Sequence, residues 1–82
     1  MRVIDLRLEG LKLIIPDVHK DPRGCFVEAS RMPSYKQMGI DSLFVQDNYS
    51  VSKKHTIRGM HFQASPGQDK LVTVLEGKIF DV

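Results

Sequence analysis

The stretch that decides how this chain reads is residues 42–63, SLFVQDNYSVSKKHTIRGMHFQ. Two β-like runs, Val45–Ser50 and Thr56–Gln63, flank the polar turn Ser52-Lys53-Lys54-His55. In a strand, alternate side chains share a face. Gln46, Asn48 and Ser50 therefore line one face of the first run, with Asp47 on the other. Ile57, Gly59, His61 and Gln63 line one face of the second. A buried amide needs a hydrogen-bond partner, so a packed core does not gather so many amides on one side. Two readings follow from these residues: an exposed polar sheet face with an incidental histidine, or a lined binding concavity. In the second, Gln46, Asn48 and His61 point inward together and Lys70 sits near the rim.

Outward from that stretch, the punctuation is that of a β protein. Residues 2–8 and 11–15 read as strands around Glu9-Gly10, and Pro16 ends the second. The Asp, Pro and Gly residues of 17–24 predict a loop. Cys25–Ala29 predicts a strand. Residues 31–39, with Pro33 near the start and Gly39 at the end, suit one short helix. Lys70–Leu75 is nearly continuous in apolar and β-branched residues, which predicts a strand buried on both faces. Glu76-Gly77 turns into a last run, Lys78–Val82. Short strands with Gly and Pro turns and one small helix predict an all-β sandwich or barrel. The apolar final run is what a chain covering part of a longer domain shows. The expected organisation is one partial domain over residues 1–82.

The length of 82 residues allows one domain at most and only a marginal core. Lysine and arginine are interspersed with acidic residues at a net charge of +2, which argues against a nucleic-acid partner. Charges recur through MRVIDLRLEGLKLII, so neither a signal peptide nor a membrane span is expected, and a cytoplasmic location follows by default. Cys25 is the single cysteine and reads as a small apolar filler.

Four motifs, FVQDNYSVS, IRGMHFQ, QDKLVTVLEGKIFDV and Asp21–Glu28 (DPRGCFVE), resemble the dTDP-4-dehydrorhamnose 3,5-epimerase family in order and approximate spacing, over the N-terminal half of that family's length. The resemblance implies a cupin-like double-stranded β-helix, or jelly roll, truncated to its N-terminal half. It implies an isomerase that epimerises C3 and C5 of dTDP-4-dehydro-6-deoxyglucose in dTDP-L-rhamnose biosynthesis, feeding lipopolysaccharide or cell-wall polysaccharide. It further implies a homodimer whose N-terminal strands contribute to the partner's site, a dTDP-sugar as substrate, and no cofactor.

Each inversion in that chemistry removes a proton beside a ketone and returns one to the other face, which needs a base, an enolate stabiliser and an acid. The resemblance makes His61 the base, in keeping with an imidazole that titrates near neutrality. It makes Lys70 the cation beside the sugar carbonyl. Arg23, Phe26, Glu28, Gln46, Asp47, Asn48 and Arg58 match substrate-binding positions. Arginine suits a diphosphate through its planar fork. The amides and Glu28 suit sugar hydroxyls and the thymine edge, and Phe26 suits the base or sugar, or the core. Arg58 and His61 are three apart and belong to opposite strand faces unless Gly59 marks a bulge.

Metal binding is not expected. The histidine pair and glutamate of metal-binding cupins are missing: Gln63 stands where the second histidine would be, and a metal needs several good ligands. The family's acid, a tyrosine, and the carboxylate that orients its base have no counterparts here, since Tyr35 and Tyr49 do not match. The isolated chain is therefore expected to be weakly active or inactive. The alternatives are a fragment that only binds nucleotide sugar or assembles with a partner, a related nucleotide-sugar ketoisomerase, and a metal-dependent cupin oxygenase.

Overall fold

The computed structural model describes residues 1–82 as two compact units, Met1–Asp41 and Ser42–Val82. In the first, β1 (Arg2–Asp5) pairs antiparallel with β2 (Lys12–Ile15), and β3 (Val18–Asp21) pairs antiparallel with β4 (Gly24–Val27). A single helix, α1 (Met32–Gln37), follows. All regular structure apart from this one helix is strand, so the architecture is all-β.

The first hairpin follows its sequence closely. Val3 pairs with Ile14, and both are half-buried, whereas the next pair, Ile4 with Leu13, is exposed on the opposite face. This is the period-2 segregation of a sheet with one covered side. The connection closes through bonds from Leu6 N–H to Leu11 C=O (2.9 Å) and from Leu11 N–H to Leu8 C=O (3.0 Å). Gly10 takes φ +81°, a value side chains disfavour, which explains a glycine at that corner.

The second hairpin corrects the expectation of a loop over 17–24. Val18–Asp21 is a strand, and only Pro22 and Arg23 turn. Aspartate, proline and glycine stand at the first, second and fourth positions of this β-turn, where a type I turn prefers them. Asp21 Oδ1 also accepts the Arg23 backbone N–H at 2.8 Å. The turn-forming residues are real, but they serve two positions rather than eight. Cys25 on β4 is exposed and is not the apolar filler expected of it.

Helix α1 is closed by local signals at both ends. Pro33 occupies the first turn, where a missing N–H costs nothing. At the other end Gly39 N–H donates to Lys36 C=O (3.1 Å) and Ile40 N–H to Tyr35 C=O (2.9 Å), with Gly39 at φ +80°. That pair of bonds is a Schellman cap. Tyr35, 1% exposed, is the single buried core side chain, and its hydroxyl donates to Ala29 C=O at 3.0 Å.

In the second unit the strands expected over 45–50, 56–63, 70–75 and 78–82 are not formed; the backbone is irregular throughout. Lys70–Leu75 is not buried: Leu71 and Leu75 are 40% and 72% exposed. The alternation of residues is present, but a strand is completed by the hydrogen bonds of a neighbour, and here no neighbour pairs with these runs. The expected polar turn does form, with Thr56 N–H bonded to Lys53 C=O at 3.2 Å and His55 at φ +67°.

Candidate functional site

The β3–β4 register sorts the side chains of the first unit. Val18 pairs with Val27, His19 with Phe26, Lys20 with Cys25, and Asp21 with Gly24. Alternation then places Asp17, His19 and Asp21 on the same face as Phe26 and Glu28, and Val18, Lys20, Cys25 and Val27 on the other. The His19 and Phe26 rings lie 6.5 Å apart at a tilt of 36°. A cleft of about 240 Å³ opens on this face, lined by Met1, Asp17, His19, Phe26, Glu28 and Ser34. A second cleft, about 210 Å³, lies at the turn end and is lined by Asp21, Arg23, Gly24, Cys25 and Phe26. Phe26 is the wall common to both.

Three expected binding residues, Arg23, Phe26 and Glu28, are therefore brought onto one hairpin. Arg23 is held by Asp21: Nη2 donates to Oδ2 at 2.6 Å, and Nε donates to Oδ2 and Oδ1 at 3.2 and 3.3 Å. These bonds use the Nε side of the guanidinium and leave Nη1 outside the pair. The Arg23 side-chain bonds, and then its backbone N–H, hold the Asp21 carboxyl below the usual carboxylate range, and Asp21 in turn raises the Arg23 guanidinium. Asp17 accepts from the Met1 ammonium at 2.6 Å. That hydrogen bond first, and the ammonium charge second, lower the Asp17 carboxyl, with His19 adding a smaller pull in the same direction.

The remaining expected residues lie in the second unit. Gln46 Nε2 donates to Asn48 Oδ1 at 3.2 Å, so these two side chains meet although the strand expected there is not formed. Arg58 turns back on the polar turn, its Nε donating to Ser52 Oγ at 2.9 Å and its Nη2 to Val51 C=O at 3.4 Å. Gly59 follows at φ +131°, so the chain leaves regular strand geometry between Arg58 and His61. Asp47, His61 and Lys70 are exposed in irregular backbone, and neither His61 nor Lys70 joins an ion pair. The strands on which the expected concavity of Gln46, Asn48 and His61, with Lys70 at its rim, depended are not formed, and none of the four lines the two clefts of the first unit. The physical cause is the missing strand pairing, without which alternation does not become a common wall.

Asp17 and His19 lay in the stretch expected to be a loop, and the β3–β4 pairing brings them onto the face of Phe26 and Glu28. The D-x-H-x-D alternation of 17–21 carried the signal, but it was masked by the turn residues that follow it. No group of three or more His, Cys, Asp or Glu side chains is arranged to hold a metal ion. No helix is long and apolar enough to cross a membrane.

Residues 5–82 match the family model described as dTDP-4-dehydrorhamnose 3,5-epimerase. A protein of that name from Methanothermobacter thermautotrophicus is 43% identical over 81 residues, covering 99% of this chain and 44% of the relative. Its namesake from Escherichia coli is 40% identical over 84 residues, covering all of this chain and 45% of the relative. The Neisseria gonorrhoeae namesake is 44% identical over 82 residues, which is 25% of its own length. The chain thus spans less than half the length of these relatives. No solved structure matches it. With nearly every residue inside the match, the chain belongs to the dTDP-4-dehydrorhamnose 3,5-epimerase family.

Proposed function

We propose that this chain carries the base-bearing part of a dTDP-4-dehydrorhamnose 3,5-epimerase, inverting C3 and C5 of dTDP-4-dehydro-6-deoxyglucose. The observation that carries this reading is the unbroken match over residues 5–82 to a family whose relatives bear that name. His61 removes the proton next to the ketone, and Lys70 stabilises the developing enolate oxygen. Arg23 and Arg58 engage the diphosphate, Phe26 and Glu28 the base, and Gln46, Asn48 and, more remotely, Asp47 the sugar. No cofactor or metal enters. The 82 residues belong to one jelly-roll domain that acts as a homodimer in the cytoplasm and feeds polysaccharide synthesis.

A second reading, binding of nucleotide sugar without turnover, is favoured by one specific feature. The binding candidates Arg23, Phe26 and Glu28 stand on a paired hairpin, whereas His61 and Lys70 stand in unpaired backbone. A base held loosely loses about 10²-fold for a small misplacement. Tyr35 does not supply the acid, because its hydroxyl is buried and committed to Ala29.

Solvent deuterium incorporation into dTDP-4-dehydro-6-deoxyglucose tests both readings. It is measured for the 82-residue chain, for the chain extended by the C-terminal part of the M. thermautotrophicus relative, and for that extended protein with His61→Ala. The expected result is little exchange by the short chain, robust exchange at both carbons by the extended one, and its loss on His61→Ala. Undiminished exchange after His61→Ala removes His61 from the role of base. Exchange at one carbon alone points to a ketoisomerase or a single-site epimerase.

A further inference from the structure

We infer that His19 is a specificity-determining residue for the nucleobase: its imidazole N–H donates to a ring carbonyl while Glu28 accepts the neighbouring ring N–H and Phe26 packs on the ring face. The inference rests on the assignment of Phe26 and Glu28 to the base under the proposed function and extends it to a residue without a role.

Three observations converge. His19 and Phe26 are directly paired across β3 and β4, with their rings 6.5 Å apart, so the imidazole stands beside the aromatic platform. The same register, continued by one residue, makes His19 and Glu28 diagonal neighbours on one face. Such neighbours sit about 7–8 Å apart, a gap that two inward-leaning side chains close onto the edge of a single ring. All three residues line one cleft of about 240 Å³.

The chemistry of the edge follows from their donor and acceptor capacities. An ionised glutamate only accepts, and a neutral imidazole offers one N–H donor. Donor beside acceptor complements a carbonyl beside a ring N–H, which is the imide edge of thymine or uracil. Cytosine presents a lone pair opposite Glu28 and an amino group opposite the His19 donor, so both contacts become repulsive. A six-membered ring stacked on Phe26, which is 69% exposed, would also cover apolar surface otherwise left in water.

The test is binding of thymidine diphosphate and deoxycytidine diphosphate to the 82-residue chain by titration calorimetry, with cross-strand NMR contacts confirming the β3–β4 hairpin in each variant. The chain should prefer thymidine diphosphate. His19→Phe, which keeps a ring beside Phe26 but has no donor, should lower thymidine diphosphate affinity by about tenfold and, by removing the clash of two donors, leave deoxycytidine diphosphate affinity no lower than before. His19→Gln, which keeps a donor, should retain most of the preference. An unchanged preference in His19→Phe, with thymidine diphosphate binding still weakened by Glu28→Gln and Phe26→Ala, overturns the role of His19 and leaves the base site standing. Insensitivity to all three positions, or no binding of either nucleotide, overturns the base site and the inference with it.

Discussion

Replacing Tyr35 by alanine should dismantle the Met1–Asp41 unit. Tyr35 is 1% exposed and is the one fully buried side chain of the chain. Truncating a buried aromatic residue costs about 3–5 kcal/mol. A unit of this length has a total stability of roughly 2–6 kcal/mol at about 0.05–0.15 kcal/mol per residue, so the loss is of the same size as the whole. Tyr35→Phe keeps the ring and loses only the hydroxyl bond to Ala29 C=O, a change of about 0.5–1.5 kcal/mol. Urea titration followed through the amide signals of residues 2–37 should therefore show a lowered midpoint for Tyr35→Phe and no folded baseline for Tyr35→Ala. Alkaline titration gives an independent check. Burial raises the Tyr35 hydroxyl above its ordinary 10.0, so its contribution is fully present below that pH and is lost as pH rises through the higher folded value. Tyr35→Phe should lack that alkaline loss. A Tyr35→Ala chain with an unchanged urea midpoint would refute the claim that this one side chain organises the unit.

The acid limb should behave oppositely. Asp17 and Asp21 both lie below their ordinary 3.8, so their contributions are present above that pH and fade as pH falls through the lower folded values; NMR pH titration of β3 and β4 should show the hairpin loosening there, and less steeply in Asp21→Asn. Gly39→Ala should cost about 1–2 kcal/mol by forcing a side chain to φ +80°, read as a lower thermal midpoint of the α1 amide signals. His55→Gly should tighten the Lys53–Thr56 turn by relieving φ +67°, seen as slower hydrogen exchange at Thr56 N–H, and faster exchange would contradict the assignment of strain there.

How far the chain was legible depended on whether a signal was local. The Glu9-Gly10 corner, the Pro33 start and the Gly39 stop are short-range devices, and each did in the structure what its chemistry required. Val18-His19-Lys20 was hidden because neighbouring turn residues dominated its composition, while its strand character depends on pairing with Cys25–Val27. Beyond Ser42 the side chains of Gln46 and Asn48 meet in a hydrogen bond, but the strand whose alternation was to align them is not formed. The strands expected from that alternation need long-range partners, which are not formed within these residues. The same division applies to the candidate site. Arg23, Phe26 and Glu28 share a hairpin, with Phe26 a wall of both its clefts, whereas His61 and Lys70 stand in backbone whose strand pairing is not formed. His19 became visible only through the cross-strand register.

The two-residue turn at Pro22-Arg23 has a consequence for how this hairpin tolerates change. Because side chains alternate with a period of two, the turn acts as a parity gate. Inserting a single residue there and re-pairing the strands would rotate Val27 and Cys25 into the cleft and expel Phe26 and Glu28 from it. A two-residue insertion would preserve the faces and merely lengthen the arm. Only a bulge, which absorbs one odd residue locally, would let a single insertion pass. Length variation at this corner is therefore constrained to even steps, or to odd steps accompanied by a new glycine.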